Sequence, residues 1–250
     1  QRVGGAPSQK FQKVKHPTHI LSLGNANGVE ETRAWFERIA RVDDRVETAC
    51  FVVEPKIDGL TVILHYRDGL FVQGATRGDG KTGEDITSNL RTVRTLPLSI
   101  PSGAITEPPR HLVVRGEAYM PIRAFREWNQ GLELDGERTY VNPRNAVSGA
   151  LRQLDSKMTA SRPIALLCYQ VLELDGPAIA SQWSTLDYLN RMGFPVANIS
   201  RRFENLEAAV ACCESWAEKR DALDYEIDGM VIKIDDLMLQ ADLGTVGKDP

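Results

Sequence analysis

The sequence has no run of about 18 apolar residues and no apolar leader near its start, so neither a membrane-spanning helix nor a secretion signal is expected. Zinc-binding spacing is missing too. Its four cysteines, Cys50, Cys168, Cys212 and Cys213, form no C-x-x-C pair, so no zinc cage is expected and the setting reads as reducing and cytoplasmic. Positive charge is not in excess: a net charge of -4 excludes a surface that is basic throughout and confines any DNA contact to a local patch. The regular βαβ alternation of a doubly wound sheet is absent. A P-loop fails as well, because G-x-x-x-x-G-K-T ending at Gly80-Lys81-Thr82 would need glycine where Ala75 stands.

What is present reads as an ordinary packed protein. Hydrophobic residues at 42% and charged residues at 26% sit at globular averages. Residues 1–19, polar with Gly, Pro and Lys, read as a linker or the remnant of a preceding subdomain. The basic run Lys10, Lys13, Lys15 and His16 reads as a solvated tail before it reads as a phosphate clamp. Residues 20–250 read as one domain, and a chain that starts at Gln1 and stops at Pro250 in mid-pattern reads as a monomeric piece of something longer. A helix is expected over 29–41, with Asn27 and Glu30 as a capping pair. Residues 49–75 switch to β patterning in three runs broken at Asp58-Gly59 and Asp68-Gly69, which predicts a three-stranded meander. Further strands are expected at 111–120, 165–174 and 229–234. Helices are expected after Pro121 as far as Gly131 and over 145–154, 185–191 and 206–222. The fold class is therefore α+β, with largely antiparallel sheets flanked by helices.

Strand alternation puts Glu54, Lys56 and Asp58 on one face, with Val53, Pro55 and Ile57 on the other. Burying three charges between apolar runs is costly unless they are paired or used. A salt-bridged ladder on an edge hairpin accounts for them. So does a lysine nucleophile in a cleft, provided a neighbour favours the neutral amine. Lys233, set in the apolar run MVIKI, is a candidate neighbour, although a lone strand lysine commonly just snorkels to solvent. Arg115, Glu117 and Tyr119 alternate onto one face of a later strand in the same way. The glycines of TRGDGKTGED allow a tight loop that could bring Arg77 to a phosphate, or form a plain surface turn.

Taken together, HPTHILSLGNA at 16–26, EPKIDG at 54–59, TRGDGKTGEDIT at 76–87, RGEAYM at 115–120, NPRNAVSGALRQLD at 142–155 and EIDGMVIK at 226–233 resemble the adenylation domain of bacterial NAD-dependent DNA ligases. K-x-D-G alone is shared with other enzymes, but the ordered set is specific. The resemblance implies a nucleotidyltransferase fold in which Lys56 attacks the α-phosphorus of NAD and becomes linked to AMP. The AMP then passes to the 5′-phosphate of nicked DNA before the strand is sealed. It implies that Glu54 reads the adenine amino group and that Tyr169 stacks on the base. Asp58, Arg77, Ser22, Leu23 and Ile57 would lie near the bound nucleotide, which could equally be AMP or an adenine-site inhibitor. Glu117 would contact ribose and help hold Mg²⁺, Lys233 would meet the α-phosphate, and Arg144 and Arg152 would meet DNA or nucleotide phosphate. A bacterial, nucleoid-associated protein is implied, of which this piece lacks the nicotinamide-recognising subdomain and the last lysine motif and so adenylates itself weakly. The competing readings are an ATP-dependent nucleotidyltransferase of the RNA ligase or capping type and an inert nick-binding module.

Overall fold

Residues 11–101 and 108–244 are described by the structure, a computed structural model. The strands run as β1 (Lys13–Lys15), β2 (Phe51–Ile57), β3 (Leu60–Arg67), β4 (Leu70–Thr76), β5 (Thr82–Glu84), β6 (His111–Tyr119), β7 (Ala165–Leu174), β8 (Arg201–Phe203) and β9 (Ile227–Ile234). The helices are α1 (Val29–Ala40), α2 (Thr87–Leu90), α3 (Ile122–Leu134), α4 (Pro143–Leu151), α5 (Ser156–Ala160), α6 (Gln182–Arg191), α7 (Leu206–Lys219) and α8 (Leu237–Leu243). Among the described residues every strand pair is antiparallel, in three sheets of order β4-β3-β6-β7, β8-β2-β9 and β1-β5. The α+β class with antiparallel sheets is thus what the chain adopts.

The meander expected over residues 49–75 is half right. Asp68 (φ 49°) and Gly69 (φ 75°) both take the left-handed region that a tight hairpin turn demands, and β3 pairs with β4. Asp58-Gly59 looks the same in sequence but makes no hairpin. There β2 leaves for a different sheet, between β8 and β9, and the Asp58 amide donates to the Glu226 carbonyl at 2.9 Å. Gly59 is needed for close approach rather than for a turn, since a Cβ would lie 2.2 Å from the Ala118 carbonyl oxygen.

Other expectations shift at their ends. α1 is capped by Gly28 (φ 97°) with no side-chain bond, and the Asn27 amide instead donates to Glu31 Oε2 at 2.6 Å, so Asn27 and Glu30 do not form the expected cap. α3 runs through Gly131 and stops before Gly136 (φ 70°), the residue that turns the chain. α4 starts earlier than expected, with Asn142 accepting from the Asn145 amide and Pro143 in the first turn. The stretch expected as linker enters the fold: β1 pairs with β5, and Val14 and His16 are buried. Lys13 and Lys15 point outward on either side of Val14, while residues 1–10, with Lys10, lie outside those described.

Each large sheet packs one face into a main core, and Ile63 and Val113 on the other face of the four-stranded sheet pack with Ile20. Leu112, Val114 and Ala118 of β6 join Val62, Leu64 and Tyr66 of β3 in a core closed by α4 and the Leu189–Phe194 region. Phe51, Val53 and Ile234 pack with Leu206, Ala209 and Val210 of α7 and with Leu239 of α8. A fully buried Leu, Ile or Phe contributes about 1.5–3 kcal/mol, so these clusters fix the sheets, and polar groups share the opposite faces with buried Val52, Ile63 and Val113.

Candidate active site

Register builds the site. Pairing of Val52 with Lys233, Glu54 with Val231 and Lys56 with Gly229 puts Glu54, Lys56 and Lys233 on one face of the β8-β2-β9 sheet, away from the Phe51 and Ile234 core face. That face looks toward Tyr169 of β7 and, through it, toward Glu117 of β6.

At the floor, Glu54 is 4% exposed. Its Oε1 accepts from Lys233 Nζ at 2.8 Å and from Gln182 Nε2 at 2.8 Å. A buried carboxylate held by an ammonium and an amide satisfies the rule that interior charges be paired. Lys233 Nζ also lies 5.3 Å from the centre of the Tyr169 ring, and the Arg115 guanidinium lies 5.6 Å from it, both within cation–π reach. Tyr169 donates its hydroxyl to Glu117 Oε2 at 3.3 Å, where Thr61 Oγ1 also donates at 3.0 Å. Burial pushes the Glu117 carboxyl up to about 7, against the lowering effects of the Thr61 hydrogen bond and Arg115. Burial likewise raises the Tyr169 phenol. A cavity of about 10 Å³ lined by Glu54, Ile57, Tyr169 and Leu186 lies beside these groups.

Lys56 stands at the rim. Its Nζ donates to Asp228 Oδ2, and the two side chains are 38% and 61% exposed. The neighbour that reaches its amine is therefore a carboxylate, whereas the cation expected beside it, Lys233, is held by Glu54. Asp58, just past the end of β2, accepts from Arg144 Nη1 at 2.6 Å. Arg152 Nε donates to the buried Glu84 at 2.9 Å. Both arginines expected at phosphate are thus tied to carboxylates, with further N–H donors on each guanidinium.

The loop after β4 is a folded clasp. Asp79 Oδ1 accepts from the amides of Lys81 and Thr82 at 2.9 and 2.7 Å, and Gly80 (φ 90°) lets the turn close on Ile20, whose amide donates to the Gly80 carbonyl at 2.8 Å. Arg77 reaches the same segment, donating to the Ile20 carbonyl at 3.2 Å and Ser22 Oγ at 2.8 Å. Arg115 donates to the Leu21 carbonyl at 3.2 Å. Burial, then the neighbouring Arg115, lowers the Arg77 guanidinium. Segment 20–22 therefore crosses two cations, and Leu23 beyond it is 40% exposed.

The structure brings together Glu54, Lys233, Tyr169 and Glu117 around the floor, Lys56 and Asp58 at the strand end, and Ser22 with Arg77 at the side. Two residues were not singled out from sequence. Asp228 had a faint signal, since Ile227-Asp228-Gly229 echoes Ile57-Asp58-Gly59. Gln182 had none. A roomier hollow of about 430 Å³ lies beside Gln12, Gln73 and Asp85, away from these groups.

Two antiparallel sheets that share a cleft, with a rim lysine, a paired lysine and carboxylate below it and an aromatic ring alongside, define the architecture of a nucleotidyltransferase domain. The sequence model of the NAD-dependent DNA ligase adenylation domain matches residues 8–250, and the chain belongs to that family. Curated relatives include a DNA ligase of Roseiflexus sp. (strain RS-1), 48% identical across all of this chain and 36% of its own length. Another is a DNA ligase of Chloroflexus aggregans, also 48% identical and covered over 38% of its length. The chain thus spans little more than a third of these relatives. A solved structure, a putative ATP-dependent DNA ligase from Aquifex aeolicus, aligns over 87% of this chain and 47% of its own, with 16% identity and a TM-score of 0.45.

Proposed function

We propose that this chain is the adenylate-accepting core of an NAD-dependent DNA ligase and that Lys56 is its nucleophile. The observation that carries the reading is the place of Lys56 at the rim of the sheet face that holds the buried Glu54–Lys233 pair. An ammonium cannot attack phosphorus, so the ion pair with Asp228, which favours the charged amine, must open and one proton must pass to solvent before Lys56 attacks. The Nζ–P bond then forms at the α-phosphorus of NAD as the bond to nicotinamide mononucleotide breaks, leaving AMP on Lys56. Lys233 meets the developing charge on the α-phosphate, where fixed cations matter more than covalent assistance.

Tyr169 offers its ring to adenine, and Glu54 accepts from the exocyclic amino group. Asp58, Ile57 and Ser22–Leu23 border the nucleotide, and Arg77 faces its phosphates. Transfer to the 5′-phosphate of nicked double-stranded DNA follows in the longer parent, with Arg144 and Arg152 directing guanidinium N–H groups to phosphate. We assign the piece as a monomer in the bacterial cytoplasm, at the nucleoid.

Among the described residues no group of three or more His, Cys, Asp or Glu could hold a metal. Mg²⁺ commonly uses one or two carboxylates together with substrate phosphates. Glu117, buried and with its carboxyl pushed up to about 7, fits as that single carboxylate, because a nearby cation would favour its ionised form. The ion supplies charge neutralisation at phosphate.

The test is adduct mapping on the parent protein. After incubation with NAD, mass spectrometry is expected to find AMP on Lys56 and none in Lys56→Arg, whose guanidinium does not deprotonate. Labelling by ATP alone would overturn the donor, and an adduct on another residue would overturn the nucleophile.

A further inference from the structure

Gln182 opens α6 and is 2% exposed. Its Nε2 donates to Glu54 Oε1 and to the Tyr169 carbonyl oxygen, each at 2.8 Å, which uses both amide protons. The backbone around it is moored to the end of β9: the Gln182 amide donates to the Asp235 carbonyl at 2.7 Å, and the Trp183 amide to Asp235 Oδ1 at 2.8 Å. One side chain therefore joins a residue of β2 to a residue of β7 from a helix anchored on β9. Lys233 also contacts Oε1 of Glu54. Among the described residues no hydrogen bond reaches Oε2. An ionised carboxylate only accepts, so Oε2 is the acceptor kept for something else.

We propose that Gln182 is a positioning residue that sets the base specificity of the pocket. It locks the rotation of the Glu54 carboxyl and ties it to the backbone carrying the Tyr169 ring. Oε2 then stands at a fixed place relative to a base stacked on that ring. A purine with an exocyclic amino group donates to Oε2. A purine with an oxo group there sets lone pair against lone pair in a buried site, and unpaired buried polar groups are penalised far more than missing apolar contact. Without the Gln182 amide the carboxyl turns to share Lys233 through both oxygens, and the discrimination fades. This inference rests on the adenylate reading.

The experiment titrates AMP and IMP into the chain and into Gln182→Met, which keeps the length of the side chain and removes both donors. Calorimetry is expected to show AMP binding at least about ten-fold tighter than IMP in the unaltered chain. In Gln182→Met the ratio falls to within about three-fold of unity, with most of the change in AMP. Inorganic tripolyphosphate, which meets only the cations, should bind both proteins alike; a residue that merely held the fold together would weaken all three ligands. A folded Gln182→Met with the original ratio overturns the inference alone. An unaltered chain that does not prefer AMP overturns the adenylate reading and the inference with it. Should the variant fail to fold, the Gln182 side-chain amide resonances of the unaltered chain decide: they shift on adding AMP and stay still with tripolyphosphate, and resonances unmoved by AMP refute the role.

Discussion

Lys56 and Lys233 occupy the same face of the same sheet in opposite circumstances. Lys233 and Glu54 are 16% and 5% exposed, with Gln182 and Tyr169 packed around them, whereas Lys56 and Asp228 are 38% and 61% exposed. A pair in water gains and loses little when it opens. A buried pair cannot open without stranding a charge. The rim pair can therefore open at little cost, while the floor pair keeps its geometry.

Breaking the floor should produce the largest effect on stability. Lys233→Met leaves Glu54 with the Gln182 amide alone, and loss of one partner of a buried ion pair costs about 3–5 kcal/mol. Chemical denaturation is expected to show that loss. Adding Glu54→Gln, which removes the stranded charge, should recover a large part of it. If Lys233→Met unfolds at the same denaturant concentration as the unaltered protein, the floor is not a fixed element.

Glu117 gives the next largest effect, and it depends on pH. Its folded value near 7 lies above the ordinary carboxylate value of 4.5, so the folded state binds the proton more tightly than the unfolded one. Its contribution to stability is complete below pH 4.5 and is lost as pH rises through 7. Glu117→Gln can still accept from Thr61 and Tyr169 but carries no titration. The variant should lack this fall and exceed the unaltered protein by up to about 3 kcal/mol at pH 8. Thermal melts across pH 4 to 8 check it; parallel curves for the two proteins would remove Glu117 from the group of perturbed carboxyls.

Strand alternation carried Glu54 and Lys56 to one face correctly, and the apolar runs located the strands that bear Glu117, Tyr169 and Lys233. Neither local rule could say which strands are neighbours. Asp58-Gly59 and Asp68-Gly69 are the same dipeptide, yet only the second adopts the left-handed pair of a hairpin; the first is dictated by Ala118, 59 residues further along the chain. Contacts made by Gln182 and Asp228 are equally non-local, closing over separations of 128 and 172 residues. Gly59→Ala tests the crossing point. Its Cβ would meet the backbone at 2.2 Å, and overpacking of this kind costs about 1–3 kcal/mol. The same change at Gly131, which has nothing within 4 Å and lies in α3, should be neutral or stabilising by up to about 1 kcal/mol.

The smallest effect is reserved for the rim. Lys56→Met removes an ion pair whose partners are both largely in water, and such pairs contribute about 0.2–1 kcal/mol. Asp228 then returns to solvent without stranding a buried charge. The urea midpoint should move by less than about 1 kcal/mol equivalent, several-fold less than for Lys233→Met. Salt should sharpen the contrast, because 0.5 M NaCl screens exposed charges and spares buried ones: the Lys56→Met difference should shrink toward zero while the Lys233→Met difference persists. A Lys56→Met loss as large as that at Lys233 would mean that the rim is structural, and the division between a mobile amine and a fixed floor would fail.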